Sequence, residues 1–147
     1  MKMSREALER LCELEDVKLE SYRDIAGNWT IGVGHIEGVK AGMKITLEQA
    51  KKLLLKDIKP YEACVEGQDI KHVLNQRQFE ALTMFCFNVG VTAFKNSTLC
   101  KRLKIGNLEA IPAQLMRWVH IKKHGKSIES KGLVNRRKAE IEWFSRV

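Results

Sequence analysis

The beginning of the chain contains no long apolar run, so we expect no segment there that directs the protein into or across a membrane. Its N-terminal segment, MKMSREALERLCELE, is charged throughout, whereas a signal peptide or a membrane anchor requires an uninterrupted apolar stretch. We therefore expect a protein without a signal peptide or transmembrane segment, which accumulates in the cytoplasm. Glycine, proline and serine are concentrated nowhere, and no repeat, low-complexity tail or linker divides the chain.

The chain also lacks a C-x-x-C pair, because its four cysteines are widely spaced. Three of the four cysteines lie in apolar stretches, so we expect reduced core residues rather than metal ligands. The four are Cys12, Cys64, Cys86 and Cys100. His120 and His124 could share a helical face, but no third ligand lies nearby in the sequence. We therefore expect both histidines to be exposed to solvent, and we expect no metal site.

The composition that remains is typical of a globular protein with a basic surface. The 147 residues are enough for one compact domain with room for two lobes, and such a chain buries roughly 68–70% of its unfolded surface. The net charge of +8 favours an anionic partner, which could be nucleic acid, acidic lipid or a polyanionic cell envelope. Aromatic residues are only 7% of the chain and look core-like, which disfavours a stacking platform for nucleic acid.

The beginning of the chain has the periodicity of an amphipathic helix. A helix over residues 4–14 would bury one apolar face. That face consists of Ala7, Leu8, Leu11 and Cys12. Glu15 falls four residues after Leu11, so its carboxylate continues the apolar face.

The period then changes to the two-residue repeat of a strand. Apolar residues alternate there with small or polar ones: Trp29, Ile31 and Val33 against Thr30, Gly32 and Gly34. Thr30 would share its face of the strand with two glycines, which have no side chains. Because glycine is costly inside a strand, this face suggests that a ligand or another backbone approaches closely. Asp24 lies just before a turn predicted over residues 26–28, so a hairpin could fold it back beside Thr30.

Each of the two carboxylates has an ordinary structural explanation. A single Glu at a helix end is usually solvated, and a single Asp before a turn usually caps that turn. Together with Thr30, however, Glu15 and Asp24 suggest the pair that glycoside hydrolysis requires. One carboxyl must be protonated to assist the leaving oxygen, and the other must be ionised to activate water or to attack.

At these residues the chain resembles the catalytic segment of phage lysozymes, the muramidase type of endolysin. The matching residues are Glu15, Tyr22, Asp24, Gly27, Thr30, Ile31, Gly32, Gly34 and His35, of which the last five lie in T-I-G-x-G-H. The resemblance continues through Gln78-Phe79, Phe87-Asn88-Val89-Gly90, Phe94, Ser97-Thr98-Leu99, Trp118, Gly132-Leu133, Asn135-Arg136-Arg137 and Glu140. It therefore covers nearly the whole chain.

The resemblance implies an α+β, mainly helical, lysozyme-like fold. A small N-terminal β-hairpin lobe and a larger C-terminal helical lobe would enclose a cleft. Residues 1–147 would form a single domain, with the first helix and hairpin lobe at about 1–45, a connecting helix at about 46–65 and the helical lobe at about 66–147. The implied activity is hydrolysis of the β-1,4 bond between N-acetylmuramic acid and N-acetylglucosamine in peptidoglycan, by an inverting mechanism and without a cofactor.

The resemblance also assigns roles to particular residues. Glu15 would be the general acid, and Asp24, helped by Thr30, would activate water on the opposite face of the sugar, which requires carboxylates about 6.5–9.5 Å apart. Arg136 would reach the catalytic Glu. Candidates for the substrate cleft are Gly32, Gly34, His35 and Asn88. The chain departs from the family at Asp16, where Gly is common, so a second negative charge lies beside the proposed acid.

An enzyme of this kind would act at the end of a phage infection. It would wait in the host cytoplasm until a separate pore-forming protein, a holin, let it reach the periplasm and the cell wall. We expect a monomer that contacts peptidoglycan and does not bind nucleic acid. Its charge of +8 would also attract it to the anionic cell envelope, and salt should weaken this attraction.

Capping patterns predict where two of the later helices begin. Thr46 with Gln49 makes a capping box, and the helix that follows should kink or break near Lys59 because of Pro60, with another turn of helix over residues 61–65. A second capping pattern begins at Asn75 and leads into the most apolar stretch of the chain. We expect this stretch to form the central core helix.

Three further helices are predicted over residues 98–104, 108–121 and 135–147. The last would place Arg136 and Arg137 close to its start and would bury Ile141 and Phe144. Between the last two helices lies a basic loop that contains Lys122, Lys123 and Lys126. This loop could be a solvated turn, or it could contact the anionic envelope or the substrate.

Two other classes of function stay open. A lytic transglycosylase uses one acid and lets the muramyl hydroxyl attack internally, so the presence of both Asp24 and Thr30 argues against this class. A basic, non-enzymatic protein that binds the envelope through its charge would not need Glu15 at all. The effect of Glu15→Gln on lysis separates the second class from an enzyme.

Overall fold

The computed structural model describes residues 1–71 and 73–146. Its elements are α1 (Arg5–Leu14), β1 (Lys18–Arg23), β2 (Trp29–Gly32), α2 (Leu47–Asp57), α3 (Lys59–Glu66), α4 (Gln76–Val89), α5 (Val91–Lys95), α6 (Thr98–Lys104), a 3₁₀ turn (Leu108–Ala110), α7 (Ile111–Leu115), β3 (His120–Lys123), β4 (Lys126–Glu129) and α8 (Lys131–Phe144). This arrangement confirms the predicted class, which is α+β and mainly helical. No helix within the described residues is both long enough and apolar enough to span a bilayer.

The chain forms two compact units. The N-terminal unit consists of Met3–Pro60, and the C-terminal unit consists of Met1 and Lys2 with the chain from Tyr61 onward. The division that the sequence predicts at about residues 45 and 65, with a cleft between lobes, stays a prediction.

The N-terminal unit begins with the predicted helix. The Ser4 hydroxyl caps α1 by accepting a hydrogen bond of 3.1 Å from the amide of Ala7. Ala7 and Leu11 are buried on the predicted face, whereas Leu8 and Cys12 are half-buried. The helix ends at Glu15, where the backbone becomes extended.

The first hairpin is antiparallel and is shorter than its sequence pattern predicts. Tyr22 pairs with Thr30, but β2 ends at Gly32 instead of continuing through Gly34. Gly32 has a φ of +66°, a left-handed conformation in which an extended strand cannot continue. The chain therefore turns, and His35 returns to exchange backbone hydrogen bonds with Ile31.

The two capping boxes are confirmed. Thr46 and Gln49 exchange side-chain and backbone hydrogen bonds at the start of α2, and Asn75 does the same with Gln78 at the start of α4. The predicted break is also confirmed, because α2 ends at Asp57 and α3 begins at Lys59, so Pro60 lies in a first turn that needs no amide donor.

The C-terminal unit is built around α4, as the apolar pattern predicts. Eight consecutive residues of this helix, 79–86, are buried, and the helix packs against α8. The predicted helix over residues 98–104 is confirmed as α6. The free thiols of Cys64, Cys86 and Cys100 are buried as expected, whereas Cys12 is half-buried.

The helix predicted over residues 108–121 is wrong. Helical structure ends at Leu115, and the chain continues into the β3–β4 hairpin, whose two-residue turn is His124-Gly125. The basic loop is therefore the tip of a hairpin. His120 and His124 are exposed as expected, but they lie in a strand and a turn instead of on a helical face.

The last helix begins earlier than predicted. The Ser130 hydroxyl accepts a hydrogen bond of 3.2 Å from the amide of Leu133 and starts α8 at Lys131. Arg136 and Arg137 consequently lie in the middle of the helix. Phe144 is buried as predicted, Ile141 is only half-buried, and the predicted end at Val147 lies outside the described residues.

Candidate active site

Asp24 lies in the turn between β1 and β2, where its side chain shapes the backbone. Its Oδ1 accepts a hydrogen bond of 2.8 Å from the amide of Asn28. The Asp24 amide in turn donates to the Asn28 carbonyl oxygen over 2.9 Å. A carboxylate has about four acceptor positions, so this capping bond leaves Asp24 able to accept further hydrogen bonds. The half-buried Asp24 is thus fixed in orientation by the turn that it caps.

Thr30 is joined to the same turn through the same carbonyl group. Its hydroxyl donates a hydrogen bond of 2.9 Å to the carbonyl oxygen of Asn28. The Thr30 side chain is almost fully buried, with 3% of the residue exposed. The carbonyl of Asn28 therefore accepts from both the backbone amide of Asp24 and the hydroxyl of Thr30, so both residues are hydrogen-bonded to the same turn residue.

Glu15 is presented by the end of α1. Its amide donates to the carbonyl oxygen of Leu11 over 2.9 Å, and its extended backbone (φ −101°, ψ 150°) directs the chain away from the helix. The residue is half-buried, as expected from its place beside the apolar face. Glu15, Asp24 and Thr30 all belong to the N-terminal unit. Their catalytic roles and the required separation of the two carboxylates stay predictions.

Two of the cleft candidates have contacts inside the N-terminal unit. A Cβ at the buried Gly32 would lie 3.6 Å from the side chains of Ala50 and Ile45, which is an ordinary van der Waals distance, so the left-handed φ of +66° and not a lack of space favours glycine there. Both ring nitrogens of the buried His35 have protein partners. Nδ1 lies 2.6 Å from Oδ2 of Asp57, and Nε2 lies 2.9 Å from the carbonyl oxygen of Glu37. These contacts are structural, and a role in substrate binding stays a prediction.

The other cleft candidates are exposed. Gly34 has a φ of +70°, and no atom outside its neighbours would lie within 4 Å of a Cβ there. The side-chain oxygen of Asn88, at the end of α4, accepts a hydrogen bond from Arg137. Because that oxygen already has a buried cationic donor, the orientation of the Asn88 amide is fixed. Its role, like that of Gly34, stays a prediction.

Arg136 belongs to a buried network in the C-terminal unit. Its Nε donates to Oε2 of Glu140 over 3.0 Å, and its Nη2 donates to the carbonyl oxygen of Met84 over 3.1 Å. The guanidinium is therefore held in one orientation. Whether Arg136 supports Glu15, as the family resemblance implies, stays a prediction.

The full extent of this network was not predicted from the sequence. Glu140 is completely buried, and its second carboxylate oxygen accepts a hydrogen bond from Arg137. Arg137 also donates to the carbonyl oxygen of Trp118 over 2.9 Å. Burial raises the pKa of Glu140, and the charges of Arg137 and Arg136 partly offset that rise. The three- and four-residue spacing of these side chains along one helix was the available signal.

Comparison with known proteins identifies the family to which the chain is similar. The model of the family described as phage lysozyme matches residues 12–140. Among curated proteins, the chain is similar to the endolysin of Acyrthosiphon pisum secondary endosymbiont phage 1, with 39% identity over 144 residues that cover 98% of each chain.

Solved structures give the same result. The fold is similar to the muramidase domain of SpmX from Asticaccaulis excentricus, with a TM-score of 0.94, 29% identity and coverage of 99% of both chains. It is also similar to the endolysin from Escherichia coli O157:H7 phage FAHEc1, with a TM-score of 0.87, 39% identity and coverage of 99% of this chain and 94% of that one. These matches confirm the predicted lysozyme-like fold, and the chain belongs to the phage lysozyme family.

Proposed function

We propose that this enzyme cleaves the β-1,4 bond between N-acetylmuramic acid and N-acetylglucosamine in peptidoglycan and thereby lyses the host cell at the end of a phage infection. Membership of the phage lysozyme family and its endolysin relatives support a glycoside hydrolase that acts on peptidoglycan. The observation that carries the proposed mechanism is the shared hydrogen bonding of Asp24 and Thr30 to Asn28.

The geometry of Thr30 suits it to hold a water molecule. A hydroxyl has one proton and two acceptor lone pairs, and the Thr30 proton is engaged by the carbonyl of Asn28. Toward a water, Thr30 can therefore act only as an acceptor. If the ionised Asp24 accepts the other water proton, the water's lone pair is left for attack on the anomeric carbon.

The proposed reaction transfers protons in opposite directions on the two faces of the sugar. Glu15 donates its proton to the glycosidic oxygen as the bond to the anomeric carbon breaks. The water forms the new bond from the other face and passes a proton to Asp24. This order of proton transfers inverts the anomeric configuration and needs no cofactor. Nuclear magnetic resonance of the first product should detect the α-anomer, whereas a β-anomer would reject inversion.

The decisive experiment is the lysis of outer-membrane-permeabilised cells by Glu15→Gln. The amide has the size of the carboxylic acid but cannot donate an acidic proton, so we expect a loss of roughly 10²-fold or more. The matched control is Glu13→Gln, which removes an exposed carboxylate from the same helix. If Glu15→Gln lyses cells as fast as the native protein, bond cleavage is not the cause of lysis.

Mass spectrometry of the digested muropeptides separates hydrolysis from the transglycosylase alternative. Hydrolysis leaves a reducing N-acetylmuramic acid end, whereas internal attack leaves a 1,6-anhydro end. We expect only reducing ends, because Asp24 and Thr30 are proposed to bind and activate the water molecule that attacks the anomeric carbon. In the cell, we propose that a monomer reaches this substrate from the host cytoplasm after a holin opens the membrane.

A further inference from the structure

The β3–β4 hairpin is a basic arm that no part of the proposed catalytic mechanism uses. Every residue from His120 to Glu129 is exposed, and we call these residues the hairpin arm. The turn residues His124 and Gly125 have φ values of +51° and +75°, the left-handed pair that a two-residue hairpin turn requires. The arm is therefore a well-formed hairpin, although neither of its faces is buried.

The base of the arm is fixed, which explains why such an exposed hairpin persists. The amide of Ser130 donates to the carbonyl oxygen of Val119 over 2.7 Å and closes the hairpin at its buried end. The preceding carbonyl, that of Trp118, accepts from the buried guanidinium of Arg137. An isolated two-stranded hairpin is only marginally stable in water. This anchored base compensates for the absence of a packed face.

The strand register gives the arm two chemically different faces. Ile121 pairs with Ile128, and Lys123 pairs with Lys126. Because side chains alternate along a strand, these two pairs share one face. The isoleucines are 44% and 39% exposed, so two aliphatic side chains and two ammonium groups meet the solvent together. The opposite face is entirely polar and carries His120, Lys122, Ser127 and Glu129.

We propose that the face formed by Ile121, Lys123, Lys126 and Ile128 docks onto an anionic phospholipid bilayer. A bilayer surface offers anionic headgroups above an apolar layer, and this face offers ammonium groups beside aliphatic ones. Lysine side chains can keep their charge among the headgroups while their methylene chains and the isoleucines lie deeper. The net charge of +8 adds a general attraction to anionic lipid.

Peptidoglycan is a less suitable partner for this face. A hydrated glycan strand could pair its carboxylates with the lysines, but it offers no apolar layer to cover the isoleucines. Membrane docking goes beyond the proposed cleavage and does not depend on it. It would hold the enzyme at the membrane surface through an arm that carries none of the proposed catalytic groups.

The first test separates apolar docking from general charge attraction. Binding is measured by co-sedimentation with phosphatidylcholine vesicles that contain or lack phosphatidylglycerol. The variant Ile121→Thr with Ile128→Thr keeps the β-branched residues that strands favour and leaves the net charge unchanged. We expect it to weaken binding to the anionic vesicles by roughly tenfold, which corresponds to returning a few methylene groups to water.

The matched control removes two exposed leucines from another element. Leu47 and Leu55 of α2 are 46% and 50% exposed, and Leu47→Gln with Leu55→Gln also leaves the charge unchanged. We expect this control to bind as the native protein does. Equal binding by the native protein, the control and the hairpin variant would overturn the proposal, and so would an equal loss in both variants.

A second comparison tests whether the position of the lysines matters for binding, by means of two double variants that change the net charge equally. Lys123→Glu with Lys126→Glu should weaken vesicle binding more than Lys101→Glu with Lys104→Glu, which alters two exposed lysines of α6. Equal losses would mean that only the net charge matters. Binding to purified peptidoglycan sacculi is measured in parallel. If the Lys123 and Lys126 variant loses sacculus binding but keeps vesicle binding, peptidoglycan is the partner instead.

Fluorescence keeps the proposal testable if a double variant fails to fold. In a chain with Ile128→Trp, the added indole should shift its emission to shorter wavelength when anionic vesicles are added, since it would leave water. Leu47→Trp should show no such shift. The absence of a shift in Ile128→Trp overturns the proposal. Glu15→Gln should bind vesicles as the native protein does, so failure of the proposed catalysis would not be mistaken for failure of docking.

Discussion

At the scale of single residues, the carbonyl of Asn28 decides what Thr30 can do. It takes the only proton of the threonine hydroxyl, so the remaining capacity of that oxygen is to accept. A serine at position 30 would keep this bond with a smaller side chain, whereas a valine would keep the shape and lose the oxygen. The pair of substitutions therefore separates packing from water binding.

We predict that Thr30→Val lowers kcat for peptidoglycan cleavage by roughly 10²-fold, because the attacking water loses one of its two acceptors. Thr30→Ser should retain most of the activity. Turbidity assays on permeabilised cells measure the rates, and urea unfolding checks that both variants are folded. A Thr30→Val protein as active as the native one would contradict the proposed role of the hydroxyl.

The buried thiols give a second prediction at this scale. Burial raises the pKa of Cys86 and, more modestly, that of Cys100, and the neighbouring Cys64 raises the pKa of Cys86 further. A raised pKa leaves less thiolate at a given pH, and the thiolate is the nucleophile. Iodoacetamide at about pH 8 should therefore leave both thiols unmodified in the native protein, yet modify all four cysteines in urea. Peptide mass spectrometry measures the labelling, and rapid native labelling of Cys86 would refute the prediction.

Contacts between residues that are close along the chain can be predicted from the sequence better than contacts between residues that folding brings together. Asp24 and Thr30 could be recognised because one short turn joins them. The contact of His35 with Asp57, the last residue of α2, could not be predicted from local spacing, because 22 positions separate the two residues. The contact of Asn88 with Arg137 joins two helices that are distant in sequence, and no local pattern signals it.

At the scale of elements, capping residues predicted helix starts more reliably than apolar periodicity predicted helix ends. Thr46 and Asn75 each satisfy an otherwise unpaired backbone amide, so their effect is local. Val119 and Ile121 fit a helical face and a strand equally well. The His124-Gly125 turn makes this segment a hairpin, since both residues adopt the left-handed conformation. The turn was missed because histidine adopts that conformation less characteristically than asparagine does.

The capping box of α4 yields a prediction about stability. Asn75→Ala removes the acceptor for the amide of Gln78, which lies 2.8 Å from Oδ1, and should lower the free energy of unfolding by about 1 kcal/mol. Asn75→Ser should have little effect, because serine is also a good N-cap. Urea unfolding followed by circular dichroism measures both variants. Equal stability of Asn75→Ala and the native protein would show that the box does not stabilise the helix.

At the scale of the whole molecule, stability depends on a few buried charges as well as on apolar packing. In the C-terminal unit, Glu80 and Glu140 are completely buried, one on each of the two helices that pack together. Trp143 donates to Glu80 over 3.0 Å, and two arginines donate to Glu140. Breaking such a pair leaves an uncompensated charge in the core, which costs more than the pair contributes.

We therefore predict that Glu140→Gln lowers the free energy of unfolding by roughly 3 kcal/mol, because Arg136 and Arg137 lose their counter-charge inside the core. Glu142→Gln is the matched control. It makes the same chemical change two residues along the same helix, where the carboxylate is exposed and pairs with Arg146, so its effect should stay within about 0.5 kcal/mol. Guanidinium unfolding is unsuitable because the salt screens charges, so urea is used. Equal effects of the two substitutions would mean that the buried network does not control stability, and that Glu140 owes its burial to packing alone.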